Sequence, residues 1–346
     1  MSNTTPPQLR SVREYALPTD ALSVAWQEHA NRLFVGGTVG QIYHIDLAAG
    51  ETEPDSWLAH LTHVSGLGLA GGELISVGSD HDMVWWDLQT RATVRRRTHA
   101  KWIRQLAISV DGTRAATVCD DMIARVWEAP TGRLVHELRR HALHTPYDLP
   151  SKLYACAFSP DGQLLATADQ LGFVFVWDVE SGQCLAEMHG PNFFTHDTNG
   201  HGYGGIRTVV FSPDGKHIAA GGNQAGDTSQ IAGSKSLVHV YDWKSGTRVA
   251  EFTEGGNFFY ERLAYHRQGD WLVAAAGAGA QQKVAFFSVA QRELLTAAAS
   301  PLLVFDMRLS ARSDRLVTVG RQNKKGCVVQ WVVEPQERPP APSREP

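Results

Sequence analysis

Apolar residues along this chain fall into short runs, each closed by turn-forming residues before a helix could develop. Residues 153–179 show the pattern most cleanly. Three β-branched and aromatic runs are separated there by Ser159-Pro160-Asp161-Gly162 and by Asp169-Gln170-Leu171-Gly172. In the first turn proline fixes φ and glycine is free to take a positive φ. Short apolar runs bounded by such turns predict the strands of an antiparallel meander.

Weaker copies of this stretch recur. The third run of each copy ends at Ile45-Asp46, Trp86-Asp87, Trp127-Glu128, Trp177-Asp178, Tyr241-Asp242, Phe287-Ser288 and Trp331-Val332. The second members of these pairs are 41, 41, 50, 64, 46 and 44 residues apart. A period of about 40–45 residues with four strands per unit marks a β-propeller. Second strands are predicted in small apolar runs at 33–36, 74–78, 114–118, 164–168, 217–220, 271–275 and 316–319. Fourth strands, at 93–97, 134–139, 184–188, 248–252 and 293–297, are more polar, as outer strands should be.

With Trp-Asp or Trp-Glu three times and Ser-Pro-Asp-Gly twice, the chain resembles the WD40 repeat family from about residue 9 to 332. The resemblance implies an all-β, seven-bladed β-propeller of four-stranded antiparallel blades, the last closed by a strand from the other terminus. After Trp331 the chain turns to Glu334-Pro335 with no fourth strand left, whereas residues 9–16 precede the first repeat. An unpaired edge exposes a row of N–H and C=O groups, so the N-terminal strand is expected to complete blade 7. The expected organisation is a flexible 1–8, a propeller over 9–333 and a disordered Pro-rich tail, 334–346. The family also implies a buried chain of hydrogen bonds from a Trp N–H through hydroxyl and imidazole to a carboxylate. Its matching places are His60, Ser76, Asp80 and Trp86 in blade 2, and His99, Thr117, Asp121 and Trp127 in blade 3. Blade 4 keeps Thr167 and Trp177 but has Leu171 where the Asp would sit, and the other blades depart further.

Excess length concentrates in blades 4 and 5. Segments 140–151 and 189–205 join an outer strand to the next inner strand, and 223–236 joins the second and third strands of blade 5. In a propeller these loops open on one face. With the 257–260 segment of blade 6 they carry Tyr147, Phe193, Phe194, Tyr203, Phe258, Phe259 and Tyr260. Aromatics with Gly and Asn on loops compose a binding surface, although Phe193 and Phe194 can equally anchor their own loop. In the family, residues flanking the inner strands often line the partner-facing surface around the central channel. Trp102, Arg104 and Arg207 hold such places, and Trp and Arg are common interface hot spots. The reading is a protein–protein interaction scaffold: a monomeric propeller, within a larger complex, that holds another protein or peptide over blades 4–6.

Composition tests the alternatives. A net charge of −4 gives no general attraction to nucleic acid. Arg91, Arg95, Arg96 and Arg97, with Lys101, form the one basic cluster; it could meet phosphates, but charged outer-strand residues that block edge pairing explain it better. No apolar run is long enough to span a membrane, and the N-terminus lacks the apolar core of a secretory signal. Cys119, Cys156, Cys184 and Cys327 lack CxxC spacing and lie in or beside apolar runs, which points to reduced thiols in the cytoplasm. His141, His144, His189, His196 and His201 could ligate a metal, yet they have no fixed spacing. A metal-dependent site in these loops is the enzymatic alternative to the scaffold, and no cofactor is expected. Gly66-Leu67-Gly68-Leu69-Ala70-Gly71 matches GxGxxG, but a strand rather than a helix follows it, so it reads as part of blade 2.

Overall fold

The computed structural model describes residues 6–49, 53–196, 202–224, 235–256, 258–279 and 281–335, which form seven antiparallel sheets set as the blades of a propeller. The innermost strands are Ala21–Gln27, Val64–Ala70, Ile103–Ile108, Leu153–Phe158, Gly202–Phe211, Phe258–Tyr265 and Leu303–Leu309. Each is followed outward by its second and third strands. Outer strands run at Thr93–Thr98, Arg133–Leu138, Cys184–His189, Thr247–Gly255 and Glu293–Ala299, close to the predicted positions. Gly66 and Gly68 lie inside Val64–Ala70, and strand Glu73–Gly78 follows their turn.

The buried apolar residues divide into seven clusters, and each joins one blade to the next. The core is therefore a ring of interfaces rather than a single interior. Neighbouring sheets converge toward the axis, which explains the small second strands. Ala115 and Ala116, Ala166 and Ala168, Ala219 and Ala220, and Ala274 through Ala276 are fully buried.

The Ser-Pro-Asp-Gly turns have a clear hydrogen-bond logic. Ser159 Oγ donates to Asp161 Oδ1 (2.5 Å) and accepts from Leu164 N (2.9 Å), while Asp161 Oδ1 accepts from Gln163 N (3.1 Å). Gly162 takes φ 73°, open to glycine at little cost. Ser212 and Asp214 repeat the arrangement, as do Ser109 and Asp111.

The ring closes through the N-terminus. Strand Pro7–Leu17 pairs antiparallel with Lys325–Pro335 and forms the outer strand of blade 7, beginning two residues before the expected Leu9 and ending one after Ala16. Tyr15 and Leu17 join Leu33 and Val35 of blade 1 and Val317 and Val319 of blade 7 in one cluster. The expected flexible N-terminus and disordered tail lie largely outside the described residues.

Candidate interaction surface at the channel mouth

Every inner strand carries a one-residue bulge against its neighbour. In blade 3, Ile103 faces Cys119 and Gln105 faces Val118, so Arg104 has no partner of its own. The same one-residue bulge isolates Tyr154 in blade 4, Arg207 in blade 5, Glu261 in blade 6 and Phe305 in blade 7. In blades 1 and 2 it isolates Leu22 and Ser65. A bulge bends its strand and re-aims a side chain. The seven extra residues gather at one mouth of the central channel around a cavity of about 230 Å³.

Chemistry concentrates on the arc of blades 3 to 6. Arg104 donates to both oxygens of Asp120 (2.7 and 2.6 Å), and its guanidinium lies 3.5 Å from the Trp102 ring centroid. Arg207 lies 4.2 Å from the Tyr154 ring and 5.3 Å from that of Phe259. Among the described residues Arg207 forms no ion pair, and its Nε is buried without an acceptor. Arg262 donates to Asp306 Oδ1 (2.8 Å), as does Arg308 (2.9 Å). Burial pushes the Asp306 carboxyl up, but Arg308 and Arg262 outweigh it and hold the group below its ordinary value.

Beside the mouth, the described ends of segment 189–205, residues 189–196 and 202–205, pack back on blade 4. Gln170 donates to Gly202 O (3.1 Å), and Phe194–His196 pairs with the start of Gly202–Phe211 as a short hairpin. Gly204 takes φ 90°, where a Cβ would meet Phe193 O at 2.1 Å; the hairpin needs glycine there. Tyr147 is exposed, and its hydroxyl is 2.5 Å from His196 Nε2, which ties the two insertions together. Phe194, Tyr203 and Phe259 are half-buried. Three of the expected binding aromatics are core instead. Phe193, at the end of a 3-10 turn over Pro191–Phe193, is fully buried against Ile206 and Tyr241, and strand Phe258–Tyr265 turns Phe258 and Tyr260 between blades beside Phe287. Asn223, Gln224, Lys235 and Ser236 belong to strands, and the rest of the third insertion lies outside the described residues.

Comparison with known proteins places this architecture. The family model "WD domain, G-beta repeat" matches residues 91–128, 132–178 and 193–229, which fall in blades 2 to 5. This chain carries WD40 repeats in a seven-bladed β-propeller. It is similar to telomerase protein component 1 of Rattus norvegicus, 26% identical over 80% of this chain and 9% of that protein. Apoptotic protease-activating factor 1 of Rattus norvegicus is 31% identical over 49% of this chain and 13% of its own length. WD repeat-containing protein 1 of the same species is 27% identical over 48% of this chain and 23% of its own. The chain thus matches less than a quarter of each relative's length.

The WD40 polar networks are where sequence and structure differ most. In blade 2, Trp86 Nε1 donates to Ser76 Oγ (2.8 Å), Ser76 Oγ meets His60 Nε2 (2.7 Å), and His60 Nδ1 meets Asp80 (2.9 Å). In blade 3, Trp127 and His99 both bond Thr117 (2.9 Å each). Asp121 does not complete that chain: Arg125 draws its carboxylate away at 2.7 Å, and His99 Nδ1 is buried without a partner. Burial, helped by the Arg125 charge, lowers His99 to about 4. Blade 4 reverses the expectation. Trp177 donates to Thr167 (2.8 Å), Thr167 meets His141 Nε2 (2.8 Å), and His141 Nδ1 meets Asp169 at 2.7 Å. The carboxylate comes from two residues before Leu171, at the end of strand Leu164–Asp169, and it also accepts from Phe173 N (3.0 Å).

The remaining candidates disperse. Both ring nitrogens of His141 are engaged, which leaves no lone pair for a metal. His189 stacks on Phe173 (4.1 Å) and bonds Leu171 O (3.2 Å), His144 is exposed beside Asp148, and His201 lies outside the described residues. Among the described residues no group of three metal-ligating side chains converges. The basic cluster is internally paired: Arg91 with Asp55, Arg95 with Glu73 and Arg96 with Asp82, while Arg97 donates to Gly132 O (2.9 Å). Among the described residues no helix is long and apolar enough to cross a membrane.

The sequence pointed to Trp102, Arg104 and Arg207 but missed Tyr154, Glu261 and Phe305. The available signal was positional: each is the second residue of an inner strand, or its equivalent at the bulge.

Proposed function

We propose that this WD40 propeller is a non-catalytic interaction scaffold that holds a partner protein over the channel mouth and the adjoining loops of blades 4–6. The carrying observation is the cluster of Trp102, Arg104, Tyr154, Arg207 and Phe259, which presents rings and a guanidinium without an ion-pair partner on a rigid ring of strands. Trp, Tyr and Arg on such a mount are the residue types of interface hot spots. Tyr147 and Phe194 extend the surface along the insertions. The pairing of Arg91, Arg95 and Arg96 with acidic neighbours speaks against nucleic acid on this strand. Four free cysteines fit a reducing compartment, the cytoplasm.

The test is quantitative affinity purification with the tagged wild-type chain, a Tyr154→Ala/Phe259→Ala variant and an Arg133→Glu control on an outer strand. Partners retained by wild type and control but lost from the double variant support the reading. Equal retention by all three refutes it.

A further inference from the structure

We infer that the channel mouth receives one carboxylate, the Asp or Glu side chain of a partner polypeptide, on the guanidinium of Arg207. This rests on the mouth being the partner-binding surface and adds the chemistry of what it binds.

The charges at the mouth can be matched one by one. Arg104 is satisfied by Asp120 in a two-pronged bond. Arg262 and Arg308 share Asp306, and Glu261 lies 3.9 Å from Arg262, so two cations there meet two anions. Arg207 remains the one uncompensated guanidinium among these residues, and its buried Nε has no acceptor among the described residues. Tyr154 and Phe259 pack against it, which limits the rotamer freedom it has to lose on binding. A planar guanidinium held this way is shaped for two parallel N–H bonds to a carboxylate.

Two observations narrow the class. A single uncompensated positive charge matches a monoanion, whereas a phosphate carries about two charges and calls for a cluster of free cations. The mouth cavity, about 230 Å³ and ringed by the seven inner strands, has room for one acidic side chain of a larger partner.

The experiment uses the whole chain and an immobilised library of capped pentapeptides. Their central residue is Glu, Asp, Gln, phosphoserine or Lys, and their flanks are randomised. Glu- and Asp-centred peptides should be retained about tenfold over Gln-centred ones, less so as salt rises. Arg207→Gln should remove that preference while the chain still unfolds in one cooperative transition, its melting temperature lowered by at most a few degrees through the lost cation–π contacts. Equal retention of Glu and Gln, no retention of acidic peptides, phosphoserine favoured tenfold over Glu, or an undiminished preference in Arg207→Gln would each overturn the inference. If Tyr154→Ala/Phe259→Ala loses the cellular partner while Arg207→Gln keeps it, the scaffold reading stands and the acidic specificity falls.

Discussion

Arg207, the extra residue of the blade 5 inner strand, lies 4.2 Å from the ring of Tyr154, the extra residue of the blade 4 inner strand. Two independent bulges thus build one contact across a blade boundary. A partly desolvated cation–π pair is worth about 0.5–2 kcal/mol. A double-mutant cycle of Tyr154→Ala and Arg207→Ala, followed by urea unfolding, should give a coupling energy of that order. Strict additivity would show that the two side chains do not interact in solution.

Asp169, not residue 171, should carry the blade 4 network. Its carboxylate is fully buried and bonded to His141 and Phe173 N. Asp169→Asn should cost about 2–3 kcal/mol, since a hydrogen bond to a buried charged group is lost. Adding Leu171→Asp should not restore it. Rescue by that second change would return the carboxylate to the position expected from the repeat.

Phe193 and Phe194 should separate in their effects. Phe193 is fully buried between blades, so Phe193→Ala should cost about 3–5 kcal/mol through the cavity left behind. Phe194 is only half-buried, and Phe194→Ala should cost under about 1 kcal/mol. Thermal unfolding of the two single variants distinguishes them.

Removing residues 1–17 should unseat the outer strand of blade 7. It deletes the ladder to Lys325–Pro335 and takes Tyr15 and Leu17 out of the closing cluster. The exposed edge is then a template for intermolecular pairing. A lower melting temperature and light scattering on concentration are expected, and an unchanged melting temperature would count against ring closure by this strand.

Acid should weaken the fold through His99. Burial lowers it from 6.5 to about 4, with Arg125 adding to the effect and Asp121 opposing it. The folded state therefore favours the neutral ring. That contribution is complete above about pH 6.5 and is lost as pH falls toward 4, to a total of about 3 kcal/mol. Urea midpoints should fall between pH 7 and pH 4.5, with a shallower slope in His99→Gln.

The sequence by itself determined the repeat, the blade count, the strand positions and the strand that closes the ring. These depend on local patterns: turns such as Ser159-Pro160-Asp161-Gly162 and apolar runs repeated at a near-constant period. Tertiary structure alone decided which side chains face a neighbouring blade, the channel or solvent. Phe193, Phe258 and Tyr260 look like loop aromatics in the chain but fill gaps between sheets. Asp121 and Asp169 exchange their expected fates because Arg125 captures one and His141 reaches the other. Tyr154 joins the mouth because an extra residue in its strand re-aims it. A shift of one position turns a strand side chain to the other face, and the repeat fixes strand order more tightly than it fixes that register.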